Sequence, residues 1–203
     1  MRRAFVVALA AVVAAGALGD TMRRPETAPG DLSLTANAPV PFQALLAHVR
    51  SANPGIDEIY LRTLYRNYRE LCRLEGISLV SALAQMVHET DYLRFSGSVR
   101  GVQYNYAGIG AVAADHPGER FPDMRTGVAA HVQHLKAYAA TTPLVTELVD
   151  PRFHLVRRGT ATTVMSLTGR WATDPHYGPK VLAHAAALLR YASIVESGRR
   201  VSP

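Results

Sequence analysis

The chain has 203 residues, 48% of them hydrophobic, and a formal charge of +6. That length suits one ordinary domain with an attached tail, and the apolar share is enough for a packed core. The single cysteine, Cys72, excludes an intrachain disulfide, and the scattered basic residues form no recognised nucleic-acid motif, so the modest positive charge points to anionic envelope polymers instead.

Residues 1–19, MRRAFVVALAAVVAAGALG, have the build of a secretory signal peptide. Arg2 and Arg3 precede an apolar or small run, and Ala15-Gly16-Ala17 or Ala17-Leu18-Gly19 offers small residues for cleavage. The run is short for a bilayer span, which takes about 20 apolar residues, so cleavage is favoured over anchoring. The expectation is export, to the periplasm or the extracellular wall, with membrane contact only through this segment. Residues 20–54 are rich in proline and small polar residues and read as a flexible linker, with a short helix over 42–50. The domain proper is expected over 55–198.

After Asn53-Pro54-Gly55 the helical period takes over. Ile56, Ile59, Tyr60, Leu64, Tyr68, Leu71 and Cys72 share one face, Asp57 and Glu58 suit a first turn, and Gly76 suits a stop. Arg62, Arg66, Arg69 and Arg73 fall on the other, solvated side. Ser78 caps the next helix, which runs to about Thr90. Leu79, Val80, Leu83, Met86 and Val87 form its apolar stripe, while Ser78, Ala82, Gln85 and Glu89 share a different face. Residues 96–123 are dense in turn chemistry, and Val99, Val102, Tyr104 and Tyr106 suggest short strands, hence a small irregular or β-hairpin lobe. Helices are expected again over 124–139, 160–167 and 177–195. The sum is a mainly α domain with a minor β lobe.

Several sharp motifs fail. His88-Glu89 opens like a zinc-protease helix, but Tyr92 stands where the second histidine belongs. His131 and His134 have a usable metal spacing without a clear third ligand, and read as surface histidines. GIGAVAADHPG lacks the Gly-Lys-Ser/Thr ending of a phosphate loop, and no serine sits in a nucleophile elbow. Glu89 remains. A carboxylate in the last turn of an otherwise apolar helix faces the negative end of the helix dipole. Partial burial there would raise its pKa, as a general acid for glycoside cleavage requires.

The blocks ALAQMVHET, NYAGIGA, FPDMRTGVAAHVQHLKAYA and RWATDPHYGPKVLA occur in that order. Together they resemble the bacterial endo-β-N-acetylglucosaminidases, the glucosaminidase domain of glycoside hydrolase family 73, over about residues 56–192. The resemblance implies a lysozyme-like helical fold, peptidoglycan glycan strands as substrate, and cleavage of the β-1,4 bond after N-acetylglucosamine. It implies Glu89 as the general acid, a groove lined by Asn105, Tyr106, Ala107, Gly108 and Ile109, and a site closed by Trp171 to Tyr177, with Tyr177 near the reacting sugar. Gln85, on the Glu89 face, is a further substrate contact. Tyr104, Tyr106, Trp171 and Tyr177 supply aromatic faces for sugar rings. Trp171 also suits a core, Asp174 before Pro175 a cap, and Asn105 a turn.

The chain departs from the family pattern after the acid, where many members have Ser-Gly-Trp-Gly and this one has Thr90-Asp91-Tyr92-Leu93. Glycosidases usually pair two carboxylates. Glu119, in the lobe facing Glu89, is the second acid chosen here, and substrate assistance by the sugar's own N-acetyl group is the alternative. The expectation is an exported, monomeric peptidoglycan hydrolase that needs no metal or other cofactor. A lytic transglycosylase and a non-catalytic wall-binding module are the rival readings.

Overall fold

A computed structural model describes residues 30–36, 38–97, 100–113 and 116–201. The proposed signal segment 1–19, the first part of the linker and Val99 lie outside the described residues. Helices α1 (Phe42–Arg50), α2 (Glu58–Glu75), α3 (Leu79–Glu89), α4 (Met124–Ala139) and α5 (Tyr177–Val201) make the bulk of the domain. Strands β1 (Ala111–Ala113) and β2 (His116–Pro117) pair antiparallel in a small lobe between α3 and α4.

The helix ends follow their local chemistry. The Asp57 carboxylate accepts the Ile59 and Tyr60 amides at 2.7 and 3.0 Å, satisfying two orphan donors of α2. Gly76 closes that helix in the left-handed region at φ 69°. Ser78 caps α3 and Asp123 caps α4. α3 is the central helix: every residue from Leu79 to Val87 is buried. Its second face carries only serine, alanine and glutamine before Glu89, so it too can be covered, by α5, α2 and α4. The expected arginine row lies on the outside of α2, where Arg62 stacks its guanidinium 4.0 Å over the Phe42 ring.

Five expectations differ from the structure. The domain begins before residue 55: Leu34 is fully buried, its amide bonds Thr162 O at 2.8 Å, and its carbonyl accepts Ser78 N at 2.7 Å. Its prolines end regular structure without preventing docking, and Pro41 stands just before α1. Residues 160–167 hold only a single 3-10 turn, Met165–Leu167, because Leu32 and Leu34 engage the backbone of 162–164 instead. Val102 and Tyr104 are not in strands; Gly101–Gln103 is a 3-10 turn closed by Tyr104 at φ 51°. Tyr106 is not in a strand either, and Ile59, placed on the core face of α2, is 79% exposed in its first turn. α5 also runs on past 195, to Val201.

One buried ion pair ties α2 to α4. Lys136 Nζ donates to Glu75 Oε2 at 2.7 Å, with both side chains almost wholly excluded from solvent. The same carboxylate accepts from the Val145 and Thr146 amides and the Thr146 hydroxyl. Burial pushes the Glu75 carboxyl up, but these donors outweigh it and hold it below its ordinary value. Removing Lys136 leaves a buried, under-compensated charge. Lys136→Met should cost about 3–5 kcal/mol in urea unfolding at pH 7. Because the Glu75 pKa is depressed, its contribution exists above the unfolded value and fades as pH falls through the folded one. The gap between wild type and variant should therefore narrow in acid.

Candidate active site

α3 runs out of the interior into a cleft, and Glu89 is its last residue. The Thr90 hydroxyl donates to Met86 O at 2.7 Å and accepts Leu93 N at 3.0 Å, ending the helix. The chain then turns through Asp91, Tyr92 and Leu93 at φ 49°, 57° and 62°. Left-handed backbone costs about 1–2 kcal/mol per non-glycine residue. Here it is held by the Asn53 amide on Tyr92 O (3.1 Å) and by Arg94 and Ser96 on the Asp91 carboxylate (2.6 Å each). The family pattern has glycine at positions 91 and 93, where this backbone would be unstrained.

The cleft has a volume of about 580 Å3, and its walls include His88, Phe95, Gly108, Trp171, Asp174 and Tyr177 around Glu89. A larger groove of about 880 Å3 lies along Arg66, Arg69 and Arg73 on the outer side of α2. It holds no comparable proton-transfer chemistry, so the smaller cleft is the site of interest.

One hydrogen bond fixes the Glu89 carboxyl. Tyr177, the first residue of α5, donates its hydroxyl to Oε1 at 2.6 Å. The Trp171 side chain lies beside the carboxyl on the cleft wall and favours its charged form. Behind Tyr177, Gln85 Nε2 lies 2.6 Å from its hydroxyl, His131 Nε2 lies 2.9 Å from Gln85 Oε1, and Tyr68 Oη lies 2.7 Å from His131 Nδ1. Trp171 packs edgewise on His131 and His134 at ring separations of 5.8 and 4.9 Å. Burial raises the Glu89 pKa to about 7, and the Tyr177 hydrogen bond and the nearby Trp171 side chain only partly oppose it. Burial, and then the Glu89 charge, push the Tyr177 phenol well above its ordinary value, so it stays a donor.

Across the cleft, Gly108 sits at φ +64°, and a Cβ there would stand 3.4 Å from Glu89 Oε2. Asn105 holds that loop from within. Its side chain accepts Ile109 N at 3.0 Å and donates to Ile109 O and Glu119 O at 2.9 and 3.1 Å. Tyr106 is fully buried, its hydroxyl 3.0 Å from that of Tyr60. Tyr104 packs its backbone against Gly127. Asn105, Tyr106 and Tyr104 therefore build the loop, and Gln85, fully buried, faces Tyr177. Asp174 lines the cleft and also caps α5, accepting His176 N at 2.9 Å and Lys180 Nζ at 2.6 Å. Glu119 packs its carboxylate against Gly110, 3.0 Å from where a Cβ would be, outside the cleft wall.

His131 is not a surface residue: it is fully buried, with both ring nitrogens committed. His134 is bonded to Asp150 at 2.7 Å. Among the described residues no group of three or more histidine, cysteine, aspartate or glutamate side chains is placed to hold a metal ion. His88 and Phe95 also line the cleft; nothing in their spacing distinguishes them from core residues.

A helical domain that presents a desolvated glutamate at its cleft offers a candidate group for proton transfer. The chain belongs to the glucosaminidase family, whose profile, described as mannosyl-glycoprotein endo-β-N-acetylglucosaminidase, matches residues 65–189, more than half its length. At family level it is a glycoside hydrolase. It is 39% identical over 150 residues to an uncharacterized protein of Borreliella burgdorferi (strain ATCC 35210 / DSM 4680 / CIP 102532 / B31), covering 74% of each chain. No solved structure matches it.

The raised pKa has a measurable cost. Glu89 rises from the ordinary glutamate value of 4.5 to about 7 in the fold. Its protonated form is the one the fold favours, so the stability it allows is complete below the unfolded value and declines as pH rises toward the folded one. Glu89→Gln should therefore be more stable than wild type by about 1–3 kcal/mol at pH 8, and nearly equal to it at pH 4, in urea titrations at the two pH values.

Proposed function

We propose that this protein is an exported peptidoglycan hydrolase that cleaves the β-1,4 bond after N-acetylglucosamine. The family membership supports the substrate class, and the basic-then-apolar leader at residues 1–19 supports export. The observation that carries the mechanism is Glu89: a carboxyl with a pKa near neutrality, open to the cleft beside Gly108 and fixed by Tyr177 on its other oxygen.

In this mechanism Glu89 gives its proton to the glycosidic oxygen as the bond to the anomeric carbon breaks. The N-acetyl carbonyl oxygen of the same sugar closes on that carbon and carries the positive charge, a known alternative to a second carboxylate. Water then adds to the anomeric carbon and returns a proton to Glu89, releasing a reducing end. The cleft wall favours this route over Glu119: among the described residues the other carboxylate it includes is Asp174, whose oxygens are engaged by Lys180 and the His176 amide. Lys180 first, then the His176 amide, hold Asp174 below its ordinary pKa, so it stays an anion.

Purified protein incubated with murein should yield fragments with reducing N-acetylglucosamine ends by mass spectrometry. Anhydro-muramyl ends would identify a transglycosylase instead, and binding without cleavage a wall-binding module. Glu89→Gln should lower the cleavage rate by about 10²–10⁴-fold, the range for loss of a general acid. Equal clearing by both proteins would remove Glu89 from catalysis.

A further inference from the structure

The hydroxyl of Tyr177 touches two groups, Glu89 Oε1 and the Gln85 amide, each at 2.6 Å, and has one proton to give. An ionised carboxylate only accepts. With Glu89 ionised, the Tyr177 proton therefore goes to Glu89 and Gln85 presents its nitrogen to Tyr177, so that a proton Glu89 then takes up falls to Oε2. The Gln85 carbonyl then faces His131 Nε2 at 2.9 Å, so that nitrogen carries the hydrogen. A neutral imidazole has one N–H, which leaves His131 Nδ1 to accept the Tyr68 hydroxyl at 2.7 Å. Proton counting thus gives every bond from Tyr68 to Glu89 the same direction.

We infer that His131 is a positioning residue that aims the Tyr177 hydroxyl at Glu89 Oε1 through Gln85, and so leaves the acid's proton on Oε2. The inference rests on the reading of Glu89 as the general acid. Tyr68, Gln85 and His131 are all fully buried, so water does not compete for these bonds. Burial first, then the charge of His134, lower the His131 pKa to about 3, which keeps one neutral tautomer over the working range. Oε1 is filled by Tyr177, and Oε2 is the oxygen beside Gly108 in the cleft. As Glu89 loses its proton, the Tyr177 hydroxyl stabilises the carboxylate that forms. Its benefit therefore grows toward the transition state and belongs to kcat more than to KM.

The test uses the full-length protein with glutamate labelled at the side-chain carboxyl carbon, the Glu89 signal being assigned by its loss in Glu89→Gln. Its NMR titration is followed in wild type, Tyr68→Phe, His131→Phe and His131→Gln, alongside kcat and KM on purified glycan strands. Loss of the directed donor leaves burial less opposed. In His131→Phe the Glu89 midpoint should rise by about one pH unit, a tenfold gain in proton affinity. Its kcat should fall ~10–100-fold with KM within about twofold. His131→Gln, which can still offer an amide N–H to Gln85, should recover most of both. Tyr68→Phe removes one hydroxyl with little change of shape, and should move the midpoint the same way by about half as much. It decides the matter if His131→Phe does not fold. An unchanged Glu89 midpoint in the folded variants, or a loss confined to KM, overturns the inference. The titration needs no turnover, so an inactive wild type would defeat the proposed function while still deciding the role of His131.

Discussion

A carboxyl group leaves water only at a cost, and the placement of Glu89 depends on how that cost is met. Its helix is buried on every side, so the last turn delivers the side chain to the cleft from dry interior. Tyr177 must then begin α5 opposite that turn, and the α3 to α5 packing fixes the register at which it does. Trp171 must lie in the turn just before α5, where Leu167 O takes its amide at 2.8 Å. The geometry of the candidate site is thus the meeting of two helix ends, set by the core behind them.

The site draws on stability in two ways. Desolvation of Glu89 disfavours the folded state at neutral and alkaline pH, and the left-handed turn of Asp91, Tyr92 and Leu93 adds backbone strain next to it. Contacts away from the cleft offset these costs. The Glu75 to Lys136 pair carries every donor its carboxylate can use, and α3 is covered along its length. Strain and dehydration sit where chemistry needs them, and satisfied polar groups and apolar packing hold the rest.

Much of the fold is legible in the sequence because helix ends announce themselves locally. Asp57, Gly76, Ser78 and Asp123 act through their own neighbouring amides, and the bounds of α2, α3 and α4 follow to within a few residues. What escapes a local reading is tertiary. Residues 32–34 look like linker because they lack a hydrophobic period, yet a few backbone bonds to 162–164 and to Ser78 dock them as firmly as a helix. The same contacts cancel the helix expected over 160–167. Glu89 can be singled out from its helix, but its partner Tyr177 lies 88 residues away and comes only from the family resemblance. The burial of His131 has no local signal, because a histidine beside small residues on a helix says nothing of a glutamine 46 positions earlier.

The Asn105 to Ile109 block shows what such a motif encodes. It resembles a stretch of groove-lining residues, yet Asn105 and Tyr106 point inward, and their polar atoms are spent on Ile109, Glu119 and Tyr60. What they produce is the backbone at Gly108, left-handed and within contact of Glu89 Oε2. The positive φ suits a glycine, and with no side chain the approach to that oxygen stays clear. The motif residues that never reach the cleft are the ones that hold this approach in place, and a substitution at Asn105 would act on the acid through the position of Gly108.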